Sequence, residues 1–431
     1  MTDVSPRSDG IRPLLATLAR HPVALWVGFF VAHSALGLLA FYAPGYPLGD
    51  VTFVYLFWVQ HGLEAGIWPG IDTSWVYPIV ALVPMIVAYA FGPDFYVPTW
   101  LTFVMIVDAA AFTVITAFGR DPRVARIGWW WLGFLLLLGP VALGRIDSIT
   151  VPIAIVGMLA LASRPRLAAI LLTIATWIKV WPAALLAAVV VTVRERWTIA
   201  LTAVVASGAI GIVALLLGAG TNVFSFITQQ AGRGLQVESP IGTFWMWDAF
   251  VSHSTRSIVY YDQAILTYQV VGPGAVTAAA VMTPLLALVT AVLLVLGVVA
   301  MRRGVDASDL LPPLALAITT ALILFNKVGS PQFVTWLAVP IVYGLTASAT
   351  GRGPSFRFPA ILALVIAGMT QIVYPYLYSE LLALNFVMLL TLSARNVLYL
   401  VLFVWAVAAV VDEFRRLGER RDDRFPAQPP L

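Results

Sequence analysis

The residues best suited to chemistry are a few charged side chains set between long apolar runs. Asp50 lies about eight residues past the first such run, in Tyr46-Pro47-Leu48-Gly49-Asp50-Val51. An ionised carboxylate where an apolar helix meets water is costly and rarely idle. Pro47 and Gly49 tighten its loop and present the side chain to a cleft, as a general base requires. The chain has 23 arginines and only two lysines, Lys179 and Lys327. Both lysines fall between short apolar segments. A compact ammonium there serves either a ligand or a helix end from which it snorkels. Arg145 and Arg233 are further cations between segments, and converging cations suit a phosphate or pyrophosphate at headgroup level.

Other polar residues share these tips. Asp147, two residues from Arg145, reads as a second acid or as the counter-ion of that arginine. Glu238, in Arg233-Gly234-Leu235-Gln236-Val237-Glu238-Ser239-Pro240, reads as a contact for sugar hydroxyls or as a cap. Gln236, Asn326 and Gln332 are candidate substrate-binding residues beside the cations. Trp75 and Tyr77, with Trp68, Trp245 and Trp247, are belt aromatics or faces on which a sugar ring stacks. Asp108, inside an apolar segment, reads as the partner of a neighbouring helix.

The elements that must position these residues follow from composition. The 431 residues are 61% hydrophobic and 11% charged, against about 25% charged in soluble domains. Repeated apolar runs of about 20 residues predict a polytopic, all-α membrane protein with one integrated domain. The first run is too long for a cleavable signal peptide. With no cysteine, disulfides and thiol chemistry are excluded. Four histidines without ligand spacing, and no DxD motif in an outer loop, predict no metal and no cofactor.

The net charge is +4, but its distribution says more. Arginines cluster at Arg7, Arg12 and Arg20; Arg120, Arg123 and Arg126; Arg164 and Arg166; Arg194 and Arg196; Arg302 and Arg303; Arg352 and Arg357; and Arg415 to Arg424. The positive-inside rule puts these in the cytoplasm. Each cluster is small and flanked by membrane segments, which excludes a nucleic-acid surface. Apolar segments run roughly 22–42, 77–92, 97–118, 128–144, 148–163, 167–178, 181–193, 198–217, 277–300, 309–325, 332–349, 358–375 and 396–412. Thirteen segments conflict with two cytoplasmic ends. One of the two around Gly92-Pro93-Asp94 is therefore re-entrant, or the Arg120 cluster breaks the rule. The expectation is about 12 crossings over 22–412, cytoplasmic tails at 1–21 and 413–431 that are disordered, and main outer loops at 43–76 and 218–276. Val51 to Glu64 reads as an interfacial helix in the first outer loop.

Six motifs in this order resemble those of the GT-C superfamily of polyprenyl-phosphate-sugar-dependent glycosyltransferases. They are Gly49-Asp50, Trp75-Val76-Tyr77-Pro78, Gly144-Arg145-Ile146-Asp147, Trp177-Ile178-Lys179-Val180-Trp181-Pro182, Leu235-Gln236-Val237-Glu238-Ser239-Pro240 and Asn326-Lys327-Val328-Gly329-Ser330-Pro331-Gln332. The chain is most similar to glycosyltransferase family 87, the actinobacterial mannosyltransferases of phosphatidylinositol mannoside and lipomannan synthesis. That resemblance spans about residues 22–350. It implies that Asp50 is the catalytic aspartate, that the donor is polyprenyl-phosphate-mannose, and that transfer to a glycolipid acceptor inverts the anomeric carbon, forming an α-1,2 linkage. It implies a plasma-membrane enzyme whose active site faces outward. Some relatives use a histidine in the C-terminal half. Here none follows His253, so that role is absent or falls to Lys327 or Asn326. In the expected reaction Asp50 takes the proton of an acceptor hydroxyl, while Arg145, Lys179, Lys327 and Arg233 hold the leaving phosphate. Transfer of another sugar such as arabinofuranose, or a lipid-linked-sugar flippase, is the alternative.

Overall fold

The computed structural model describes residues 21–117, 121, 123–229 and 232–422, with side chains through Arg416. Expectations that fall on 1–20, on Arg120 and on the tail beyond 422 lie outside the described residues. The chain is a polytopic helical membrane protein. Among the described residues, nine helices are long and apolar enough to cross a bilayer: Pro22–Tyr42, Pro93–Ile115, Ala125–Ala142, Arg196–Leu216, Ala275–Arg303, Ala307–Leu324, Pro331–Ala349, Arg357–Tyr376 and Phe386–Arg416. Helices are the answer to these runs because lipid cannot satisfy backbone N–H and C=O groups. Prolines open several of them, at Pro22, Pro165, Pro182 and Pro331, where a missing N–H costs nothing. The three shorter helices Asp147–Ala160, Pro165–Ile178 and Pro182–Thr192 pack in sequence as antiparallel neighbours.

Burial sorts the helices. In the Ala307–Leu324 helix 72% of the apolar window is buried, so it stands at the centre. In Arg196–Leu216 and Ala275–Arg303 only 17% is buried, which leaves apolar faces such as Leu201, Val204, Val205 and Ile212 for lipid.

The segment 77–92 is not among the nine long apolar helices. Tyr77 and Trp100 both pack on Tyr55, with ring centroids 6.4 and 5.3 Å away, so the chain leaves that level and returns to it. Between them stands only the short helix Ile79–Ala88, about 15 Å at the usual helical rise. This fits the re-entrant alternative of the sequence reading. The turns carrying Arg164, Arg194, Arg302 and Arg352 consequently fall at one end of the bundle. Those carrying Asp50, Arg145, Lys179 and Lys327 fall at the other, the tip end.

Two features differ from the sequence expectation. Residues 413–422, expected as disordered tail, continue the last helix, Phe386–Asp422. The 218–276 loop is not purely helical or irregular. It holds a three-stranded antiparallel sheet in the order β1 (Leu235–Gln236), β3 (Thr267–Val271), β2 (Ile258–Asp262). Its β2–β3 hairpin has β-branched and aromatic residues that fit a pleated surface.

Candidate functional site

The Asp50 corner is built from three tips. Asp50 opens a π-helical turn, Asp50–Tyr55, that runs into the helix Leu56–Ala65. Val51, Tyr55 and Val59 point inward at fourfold spacing, while Phe53 and Phe57 are exposed. The expected helix over Val51 to Glu64 is thus present, with one face buried and one exposed, and it is begun by an acid that suits a helix N-terminus. The tip of residues 143–146 fits against this loop because position 144 is glycine: a Cβ there would stand 2.6 Å from the Pro47 carbonyl. Next to it, Arg145 Nε lies 3.4 Å from Asp50 Oδ2. Its Nη1 donates to the carbonyls of Pro47 and Gly144 at 3.0 Å, and Nη2 donates to the Tyr374 hydroxyl at 2.8 Å. Burial opposes the charge of this guanidinium, but Asp50 and the phenols of Tyr374 and Tyr55 outweigh it and raise its pKa. The Asp50 side chain is 35% exposed, and the Arg145 contact on Oδ2 is its one ion pair among the described residues.

A second acid–cation pair lies deeper. Asp147 is fully buried at the start of the Asp147–Ala160 helix. Its Oδ2 accepts from Lys179 Nζ at 2.6 Å and its Oδ1 accepts from Trp336 Nε1 at 2.6 Å. The ammonium also stands 5.3 Å from the centre of Phe333, 5.8 Å from Tyr77 and 5.9 Å from Trp336, inside an aromatic box. Asp147 is therefore not the counter-ion of Arg145. That partner is Asp50, reached from the turn that precedes the helix on which Asp147 sits.

Both lysines line one cavity of about 300 Å³, walled by Tyr77, Trp181, Phe226, Phe325, Phe333 and Trp336, with Asn326 at its edge. Tyr77 joins this cavity to the Asp50 corner. Burial, then Asp50, then Asp147 raise its pKa, so its phenol stays protonated between the two acids. Arg233 lies close to Lys327. Burial and then the charge of Arg233 lower the Lys327 pKa, and burial also lowers that of Arg233. The Nε of Arg233 is buried and has no hydrogen-bond partner among the described residues.

Several expected substrate contacts have other parts. Arg145 directs its donors to Asp50, two carbonyls and Tyr374, which makes it a clamp on the Asp50 loop rather than a free phosphate ligand. Glu238 is buried and pairs with Arg395, whose Nη1 is 3.2 Å from Oε2. Burial raises the Glu238 pKa and Arg395 opposes the shift. Gln236 binds backbone and Thr267. Asn326 accepts from the Val328 N–H at 2.9 Å, closing a turn. Trp75 and Gln332 are buried, so neither presents a face for stacking or an open amide. Asp108 meets His33 Nε2 at 3.0 Å, the expected partner on a neighbouring helix. Among the described residues no cluster of three or more histidines or acids is placed to hold a metal ion.

Sequence reasoning missed Arg395, Tyr374 and Trp336. Arg395 carries a usable signal, an arginine beside a long apolar run. Tyr374 and Trp336 look like ordinary membrane aromatics. No protein-family model and no curated protein matches the chain.

Proposed function

We propose that the chain is a GT-C type glycosyltransferase that moves mannose from polyprenyl-phosphate-mannose to a hydroxyl of a lipid-anchored glycan. Inversion of a β-linked donor gives an α linkage, and attack by a 2-hydroxyl makes it α-1,2. One observation carries the reading: a part-exposed carboxylate, Asp50, meets a lysine-lined aromatic cavity through Tyr77 at the end of the bundle away from the arginine-rich turns. Adding the three short helices to the nine long ones gives twelve crossings. The start of the first span, Pro22, and the end of the last, Arg416, then lie on the arginine-rich side, which the positive-inside rule puts in the cytoplasm. This supports an outward-facing site in the cell membrane. A cavity lined from the tip end also suits chemistry at one face better than passage across both.

In this reading Asp50 Oδ1 accepts the acceptor's hydroxyl proton as that oxygen attacks the anomeric carbon. The bond from that carbon to the phosphate oxygen breaks, and its electron pair leaves with the polyprenyl phosphate. Lys327, which lines the cavity, and Arg233 near it neutralise the developing charge. The apolar cavity wall takes the first isoprene units.

The test uses purified protein in nanodiscs with a panel of polyprenyl-phosphate sugars and phosphatidylinositol mannoside acceptors. Wild type is expected to transfer mannose, and Asp50→Asn to lower kcat by about 10² to 10⁴, the range for a lost general base. Absence of transfer from every donor sinks the reading. Near wild-type turnover in Asp50→Asn sinks the base assignment alone.

A further inference from the structure

The segment carrying Lys327 has no secondary structure of its own between Phe325 and Ser330. An ammonium on such a loop is mobile unless something external holds the backbone. Gln236 does so at three points. Its backbone N–H donates to the Lys327 carbonyl at 3.0 Å, and its Oε1 accepts from the Gly329 N–H at 3.0 Å and from the Ser330 hydroxyl at 3.5 Å. Its Nε2 donates to Thr267 Oγ1 at 3.0 Å, which locks the rotamer against β3. Both ends of the amide are thus used.

The strand that holds the loop is itself fixed. Arg395 donates from Nη2 to the Glu238 carbonyl at 2.7 Å while pairing with its carboxylate, and both side chains are buried. Asn396 accepts from the same guanidinium and donates to Thr243 Oγ1 at 2.7 Å. Gly329 lies against the Glu238–Ser239 backbone so closely that any Cβ would collide with it. Arg233 enters the same strand two residues before Leu235.

We infer that Gln236 is a positioning residue that fixes the Lys327 loop against β1, the strand that begins two residues after Arg233, so that two cations are held near each other for one phosphate. The inference rests on the reading of these cations as the phosphate site, but its mechanical half is measurable without that reading. Like charges do not assemble by themselves, and the clamp supplies the constraint.

Two variants of the full-length protein in nanodiscs test it: Gln236→Ala and Gln236→Glu. Gln236→Ala removes the acceptor for Gly329. Hydrogen exchange over Asn326 to Pro331 is expected to speed up about tenfold, with a donor KM about tenfold higher and the acceptor KM unchanged. A simple loss of folded protein would lower apparent kcat and leave the KM alone. Gln236→Glu keeps the acceptor, so exchange stays within about twofold of wild type. Its added negative charge beside the two cations still raises the donor KM. Unchanged exchange in Gln236→Ala overturns the inference, whatever the kinetics. Faster exchange with an unmoved donor KM in both variants leaves the clamp standing and refutes the phosphate site.

Discussion

Asp50 and Asp147 are two carboxylates at the same end of the bundle, each paired with a cation, and their settings differ. The Asp50–Arg145 contact is 3.4 Å long and the acid is 35% exposed. The Asp147–Lys179 contact is 2.6 Å, the acid is fully buried, and its other oxygen takes the Trp336 indole N–H. A fully buried acid with a donor on each oxygen is closed to a substrate hydroxyl. A part-exposed acid with one loose contact is open to one. The pairing that looks alike in a sequence thus separates a group fit for proton transfer from one that braces the tip of a hairpin.

Neutralising each acid in turn is the strongest way to break this comparison. Asp50→Asn is expected to abolish most transfer while changing stability by about 1 kcal/mol, the scale of a part-exposed ion pair. Asp147→Asn leaves Lys179 without its counter-charge in a largely buried box, a loss of about 3–5 kcal/mol. Thermal unfolding in nanodiscs and kcat on the surviving folded protein separate the two. If Asp147→Asn keeps its melting midpoint and loses turnover, the roles are reversed.

A smaller effect concerns Lys327. Burial and then Arg233 lower its pKa from the ordinary 10.5, so its ammonium is lost at a lower pH than a free lysine's. A phosphate that depends on this charge binds less well as pH rises through that lowered value. The donor KM is therefore expected to climb on the alkaline side in wild type and to stay flat in Lys327→Arg, whose guanidinium keeps its proton. Identical profiles would detach Lys327 from the donor.

Much of this was legible in the sequence because lipid leaves few choices. Apolar runs had to be helices, and the parity of the segments pointed to the stretch around Gly92 as the one out of step. The lysines announced themselves by rarity, and both line one cavity. The rest depended on contacts between distant tips. Whether Asp147 faces Arg145 or Lys179 depends on helix packing, not on a spacing of two. Glu238 and Arg395 are 157 residues apart, and the apolar run that begins at 396 hid an arginine within the helix that starts at Phe386. Two-residue β1 is too short to show alternation, so the sheet that organises Gln236 left no pattern.

The smallest effect sharpens the comparison most, because it asks what Arg145 does. Tyr374 accepts one guanidinium N–H at 2.8 Å, and its ring centre lies 5.7 Å from Arg145 Cζ. Tyr374→Phe keeps the ring and removes only the acceptor, freeing one donor of a buried arginine. If Arg145 is a clamp on the Asp50 loop, the variant loosens the acid's aim: kcat falls about three- to tenfold and the donor KM holds, a pattern of lost transition-state alignment. If Arg145 instead grips the donor phosphate, the freed N–H sits in the phosphate's path and the donor KM moves while kcat holds. Initial rates at varied donor and saturating acceptor distinguish the outcomes, and the second returns Arg145 to the place its sequence neighbourhood suggests.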